Sequence, residues 1–186
     1  MMDQFREEVV TKRNQGAQMA LYVAANVAMV LLGAYALLVF TSFTSILAQE
    51  GFGASFIFAL VEFAVFGSAA VALFILRDRA KTEYEYTLTN TQMDFAKVYN
   101  NKKRKSLGTM NIRNVEACGM VASGSFNRYI TMQGIKRSNW FLNRDAELFY
   151  FFFQKDGNKR IIIIEPSEEM RDMIKKNLPQ GVWQTN

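Results

Sequence analysis

The chain has 186 residues, with 22 Lys and Arg against 17 Asp and Glu, no histidine and a single cysteine, Cys118. One cysteine excludes an intramolecular disulfide framework, and without histidine neither a Cys/His zinc site nor a Cys–His or Ser–His nucleophile pair can be assembled. The charge is unevenly spread, for residues 20–76 hold only Glu50 and Glu62, whereas Arg77 onward carries nineteen Lys and Arg against twelve Asp and Glu.

Residues 3–15, DQFREEVVTKRNQ, place Phe5, Val9 and Val10 on one helical side with charges elsewhere. The pattern predicts a short interfacial helix, or a frayed lead-in, so that 1–18 reads as an N-terminal cytoplasmic segment at the membrane surface.

Ala20–Ala48 is free of charge, and Gly53–Leu76 is interrupted only by Glu62. About 20 apolar residues suffice to cross hydrocarbon. The connection Gln49-Glu50-Gly51-Phe52 permits only an antiparallel arrangement, so 19–77 reads as a two-helix transmembrane hairpin. Ala34-Tyr35-Ala36 could mimic a signal-peptidase site, but the apolar run continues well past it, which favours an uncleaved helix. Arg6, Lys12 and Arg13 flank the first span, Arg77, Arg79 and Lys81 follow the second, and the tip has no Lys or Arg. That bias predicts a two-pass protein of the cell membrane with both termini cytoplasmic.

Within the spans, Ala20, Ala24 and Ala28 recur every four residues, as do Ala64, Ser68 and Ala72. Small residues let membrane helices approach closely. With the cytoplasmic ends level, Ala20 would meet Ala72 and Ala28 would meet Ala64. Glu62 is the most unusual residue of the pair, since a carboxylate near the bilayer centre costs about 2.5–3.5 kcal/mol on insertion scales. It reads either as a proton, ion or partner-helix site, or as a carboxyl bonded to a neighbour such as Tyr35, Thr41 or Ser42. Asn26, nearer the cytoplasmic surface, reads as a polar link between the helices.

From Thr82 the period changes from helical to strand-like, opening a domain over 82–180. Thr82–Thr89 and Gln92–Tyr99 read as strands joined at Asn90-Thr91, and Arg104–Ile112 as a third strand after the turn Asn100–Lys103. Ala122–Asn127 is loop-like, and 128–146 is an insertion carrying Trp140 and Phe141. The segment ELFYFFFQKDGNKRIIIIE reads as a hairpin about Asp156-Gly157, the dipeptide suited to a type I′ turn. It would oppose Phe152 to Ile161 and Phe151 to Ile162. One face then holds Leu148, Tyr150, Phe152, Ile161 and Ile163, the other Phe149, Phe151, Phe153, Ile162 and Ile164. Both faces are apolar, so the outer one needs a cover: the C-terminal helix, the insertion, lipid or a second subunit. That last helix starts at N-cap Ser167 with Glu168 and Glu169 on its positive end, and presents Met170, Met173, Ile174 and Leu178 before Pro179 stops it.

Lys102, Lys103, Arg104 and Lys105 form the one dense basic run. It reads as a solvated turn or as a contact to anionic lipid or a protein partner, each cation at a membrane surface contributing about 1 kcal/mol. No nucleic-acid-binding motif accompanies it. Gly119, Gly124 and Gly134 fit no phosphate-loop spacing, and Glu116, Asp145 and Glu147 form no carboxylate pair by spacing. Cys118 reads as a small buried apolar residue. No catalytic residue, metal ligand or cofactor site emerges.

The run from Tyr84 to Pro179 resembles bacterial pleckstrin-homology-like (PH-like) domains, in YEYTLTNTQMDF for the opening hairpin, in RKSLGTMNIRNVEACG for the next strand and its turn, and in a final hairpin followed by one helix. With the apolar pair before it, the chain is similar to small bacterial membrane proteins of the YcxB-like kind. The resemblance implies an α+β fold, with a transmembrane hairpin followed by an antiparallel β-barrel or sheet capped by a C-terminal helix. It implies a membrane-anchored, non-enzymatic binding or scaffold module whose PH-like domain engages a protein partner or anionic lipid. The other reading is an accessory or homo-oligomeric subunit of a membrane complex acting through the hairpin and Glu62. The Trp140-containing insertion departs from the family pattern and leaves the strand count open.

Overall fold

The structure is a computed structural model and describes residues 4–185. The chain divides into two units, one of Asn14–Lys81 and one made of the N-terminal residues through Arg13 together with Thr82 onward.

In the first unit, α1 (Gln15–Glu50) and α2 (Ala54–Leu76) run antiparallel, and a 3-10 turn, Arg77–Ala80, ends the pair. Asn14 caps α1 by accepting from the Ala17 amide at 3.5 Å, and Gly51 stops it at φ 67°. A tip this short sets the register by distance from the tip. Phe43 meets Phe56, Phe40 meets Phe63, Gly33 lies against Ala70 and Asn26 reaches Arg77. This overturns the expected alanine ridges. Ala20, Ala24, Ala64, Ser68 and Ala72 are exposed and Ala28 is half-buried, while Ala36 and Ala59 are the buried positions. A strict four-residue row drifts about 40° per step around a helix of 3.6 residues per turn, so it leaves the seam. Aromatic pairs such as Tyr35–Phe66, with ring centroids 4.6 Å apart, fill much of the contact instead.

The second unit begins with a correction. Phe5–Val10 is a strand, β1, and not an interfacial helix; residues 1–3 of that segment lie outside the described residues. Val10 is buried whereas Phe5, Glu7 and Val9 are exposed, an alternation of period two that a strand satisfies and a helix does not. β1 pairs along its whole length with β2 (Thr82–Thr89), from Phe5 opposite Thr89 to Val10 opposite Tyr84. Both helices are therefore inserted between two adjacent strands of one sheet. β3 (Gln92–Tyr99) and β4 (Lys103–Asn111) complete the antiparallel order β1-β2-β3-β4. Asn90, Asn100 and Asn101 take the positive φ that these tight turns require.

The second sheet has the order β6-β8-β7-β5-β9, built from β5 (Ala117–Met120), β6 (Lys136–Trp140), β7 (Phe149–Lys155), β8 (Asn158–Ile164) and β9 (Trp183–Gln184). The fold is α+β, but this sheet is mixed, with β6 parallel to β8 and β9 parallel to β5, and no ladder among the described residues closes the sheets into a barrel. Ala122–Asn127 is not all loop, for α3 (Gly124–Ile130) starts within it and runs into the insertion, which supplies β6.

The aromatic hairpin has the expected register about Asp156 and Gly157, at φ 55° and 72°. Phe149, Phe151, Phe153, Ile162 and Ile164 share one core with Tyr86, Leu88 and Phe95 of the first sheet and with Met170 and Ile174 of α4 (Glu168–Asn177). On the other face Tyr150, Phe152, Ile161 and Ile163 pack beneath Phe126 of α3, with Tyr129, Met132 and Phe141 around them. The first sheet and α4 cover one side, and α3 with the insertion covers the other, so neither face needs lipid or a second copy.

Candidate functional site

The basic run straddles the β3–β4 turn, and strand alternation separates its members. Lys103 lies opposite Tyr99, and Lys105 directly opposite Lys97. These residues share the sheet face that carries Tyr84, itself opposite Lys97. The Lys97 ammonium sits over two rings, 5.5 Å from the Tyr84 centroid and 5.3 Å from that of Tyr99. Arg104 points to the opposite face, where its Nε lies 2.7 Å from the largely buried Glu85 carboxylate. Among the described residues no ion pair involves Lys97, Lys103 or Lys105. Like charges directly opposed across strands are unfavourable by a few tenths of a kcal/mol or more. Lys102 lies in the turn itself.

Sequence reading of the run alone misses Lys97 and the two tyrosines. The tight turn at Asn100-Asn101 folds Lys97 back against Lys105, so counting outward from that turn would have found it. The same register places Thr82 opposite Tyr99, and Tyr99 opposite Lys103. Strands lie about 4.8 Å apart, so Lys103 is roughly 10 Å across the sheet from the residue at which the chain leaves the helical unit.

The other strand ends that flank the helices are held by a polar clasp. Asn143 is buried; its Oδ1 accepts from the Arg13 amide at 2.9 Å, and its Nδ2 donates to the Thr11 carbonyl at 3.0 Å and to Glu165 Oε1 at 2.7 Å. Glu165 Oε2 accepts from the Leu142 and Asn143 amides, and the Glu165 amide donates to the Tyr86 hydroxyl, which itself donates to the Trp140 carbonyl. Burial pushes the Tyr86 phenol far above its usual range. β1 joins in from its inner side: Glu8 Oε1 accepts from the Ser167 amide at 2.7 Å, and Arg6 reaches Ser167 and Glu169 at the first turn of α4. Ser167 caps that helix by accepting from the Met170 amide at 3.2 Å. Burial holds the Glu8 carboxyl above the usual range, against the lowering effect of its bonds to Ser167 and of Arg6.

In the helical unit, Glu62 lies on the exposed surface, and its Oε2 accepts from the Tyr35 hydroxyl at 3.4 Å. Asn26 donates to the Tyr22 carbonyl at 2.6 Å and accepts from Arg77 at 2.5 Å, while the Arg77 guanidinium stands 4.7 Å over the Phe74 ring. Asn26 thus joins α1 to the end of α2, and it and Glu62 belong to separate clusters.

Other candidates do not converge. Among the described residues no group of three or more His, Cys, Asp or Glu could hold a metal ion. Asp145 pairs with Arg13 at 2.7 Å, and Glu147 with Arg171 at 2.5 Å. Cys118 is fully buried, and burial pushes its thiol up to about 12.

A family model described as Bacterial PH-like domain (DUF6106) matches residues 2–184. The match runs from β1 through both helices to β9, so it takes in the helical pair and the β domain together. No curated protein and no solved structure matches the chain.

Proposed function

Because the chain belongs to the bacterial PH-like domain family, we propose that it is a membrane-anchored, non-enzymatic binding module whose β domain engages anionic lipid headgroups at the cytoplasmic leaflet. The observation that carries this reading is the unpaired basic strand end, Lys97, Lys103 and Lys105 interleaved with Tyr84 and Tyr99, close in the sheet to the point where the helices attach. Three cations near a negatively charged leaflet contribute about 1 kcal/mol each. The interaction is weak alone and becomes effective once the chain is tethered.

Membrane anchoring is supported by the surface of the helices. Both are long and apolar enough to cross a bilayer, and most of their large side chains are exposed, including Leu31, Leu38, Phe58 and Phe74. A core helix of a soluble protein would hide these groups. Pairing of β1 with β2 supports a two-pass path, since strands on either side of the insertion must share one compartment. The Lys and Arg flanks favour the cytoplasm. Retention of the protein in alkaline carbonate pellets, with a C-terminal tag reached by protease only after permeabilisation, is expected. Release into the supernatant, or digestion in sealed cells, would overturn the anchored reading.

The headgroup contact is tested with the full chain, because a fragment starting near residue 80 lacks β1. In vesicles containing phosphatidylglycerol, amides of 97–105 should exchange more slowly than in neutral vesicles, and added salt or Lys97→Ala/Lys103→Ala/Lys105→Ala should abolish the difference. Equal exchange in both vesicles would refute lipid engagement and favour a protein partner. A second reading rests on Glu62, exposed on the hairpin with Tyr35 as its hydrogen-bond partner: a carboxyl on a lipid-facing surface suits a contact to another helix. If Glu62→Leu changes the size of the detergent-solubilised particle and the lysine variant does not, the hairpin is the working surface of an assembly.

A further inference from the structure

Two residues along β3 and β4 from Lys97 and Lys105, a wedge of about 200 Å³ lies between β4 and the inner face of the second sheet. Strand register explains what lines it. The inward-facing series of β8 runs Ile164, Ile162, Arg160, so the isoleucine ladder ends in a guanidinium. Phe153 lies opposite Arg160, and Lys155, two residues on, shares its face; Lys136 of β6 lies opposite Arg160 on the other side. Three cations thus converge at the mouth, and none of the residues lining the wedge is acidic.

This arrangement is unfavourable as it stands. Lys136 and Arg160 are like charges directly opposed across a ladder. Arg160 Nε is withdrawn from water and has no hydrogen-bond partner, a condition that buried polar groups seldom show without a reason. Among the described residues no ion pair involves any of the three cations. Deeper in the wedge the wall is apolar and aromatic, formed by Leu107, Trp140 and Phe153, with the Ser138 hydroxyl beside them. Trp140 packs there against Phe95, with ring centroids 4.8 Å apart and the planes tilted by 48°, and Gly108, at the bulge in β4, keeps the facing backbone close to its ring.

We propose that this wedge is a binding pocket for a small phosphate monoester, held through Arg160 with Lys136 and Lys155, its organic part lying against Trp140 and Phe153. A dianionic phosphate neutralises most of the three charges, where a carboxylate would leave two uncompensated, and a guanidinium fork matches phosphate oxygens in pairs. The volume fits a phosphate with a few carbon atoms, being the space of roughly seven waters at about 30 Å³ each. None of Lys97, Lys103 and Lys105 lines the pocket, and the proposal does not depend on the lipid reading.

The test is calorimetric titration of glycerol phosphate into the full chain held in nanodiscs of zwitterionic lipid. Saturable one-to-one binding is expected, weakened roughly tenfold or more in Arg160→Gln, as loss of charge-assisted hydrogen bonds implies. The same loss is expected in Lys136→Ala/Lys155→Ala, whose exposed side chains can be removed without disturbing the core. Lys97→Ala/Lys103→Ala/Lys105→Ala should bind as the wild type does. A parallel arm uses discs containing phosphatidic acid, whose headgroup is itself a phosphate monoester: abolished titration there identifies a lipid headgroup as the source of the phosphate, and unchanged titration identifies a soluble ligand. No saturation at millimolar concentration in zwitterionic discs, or equal binding by the wild type and both pocket variants, would overturn the proposal.

Discussion

Replacing Asn143 by alanine removes three hydrogen bonds at one buried side chain, two of them to the segment that precedes α1. The two neutral bonds, to the Arg13 amide and the Thr11 carbonyl, are worth about 1 kcal/mol each, and the bond to the Glu165 carboxylate about 1.5–3 kcal/mol. Thr11 and Arg13 are exposed, so water takes over part of what is lost, and a net destabilisation of about 2–3 kcal/mol remains. Thermal unfolding in mild detergent should fall by roughly 10 °C, and amides of β1 should exchange faster than those of β3.

Asn143→Asp separates the chemistry from the shape. It keeps the acceptor for Arg13 but sets a carboxylate where Nδ2 now donates to Glu165 at 2.7 Å. Two such carboxylates raise each other's pKa in the folded state. The folded form then binds protons more readily than the unfolded one, so stability falls as pH rises through the pair's raised value and recovers on acidification. The aspartate variant should be clearly less stable at pH 8 than at pH 5. A loss under about 0.5 kcal/mol for the alanine variant with unchanged β1 protection, or an aspartate variant as stable as wild type at pH 8, would refute the clasp as a link between β1 and the rest of the domain.

Four further outcomes follow from the same geometry. A methyl group at Gly119 would lie 2.6 Å from the Gln184 carbonyl oxygen, so Gly119→Ala should displace β9 and cost about 1–3 kcal/mol in denaturant titration. Ala36→Leu, at a buried position of the helix pair, should lower its thermal stability in detergent, whereas Ala24→Leu, on the exposed side, should not. Burial raises the Glu8 carboxyl, so the wild type should lose stability as pH rises from the ordinary glutamate value through the raised folded one; Glu8→Gln should flatten that part of the stability–pH curve. Cys118, buried with its thiol pushed up to about 12, should resist maleimide at pH 8 until the protein is unfolded.

What could be read directly from the chain was whatever a single element decides. Uncharged length defined the two helices, and Asp156-Gly157 between two apolar runs defined a hairpin and its register, because left-handed turn residues tie each strand to the other at short range. Ser167 marked the start of α4 for a similar local reason. The PH-like character was legible from the succession of such elements, and the family match bears it out.

Tertiary structure decided where short stretches find their partners. Phe5–Val10 has apolar residues that suit either period, and only the free edge of β2, more than seventy residues away, makes it a strand. The basic run was visible, but its division between two faces and the addition of Lys97 come from pairing across a turn. Lys136, Lys155 and Arg160 are unremarkable in the sequence and meet only because β8 pairs with β6 on one side and β7 on the other. Local chemistry acts over a few residues and is written in order along the chain. Contacts between distant strands depend on which edge remains open once the others have paired, and that is settled only when the whole sheet is assembled.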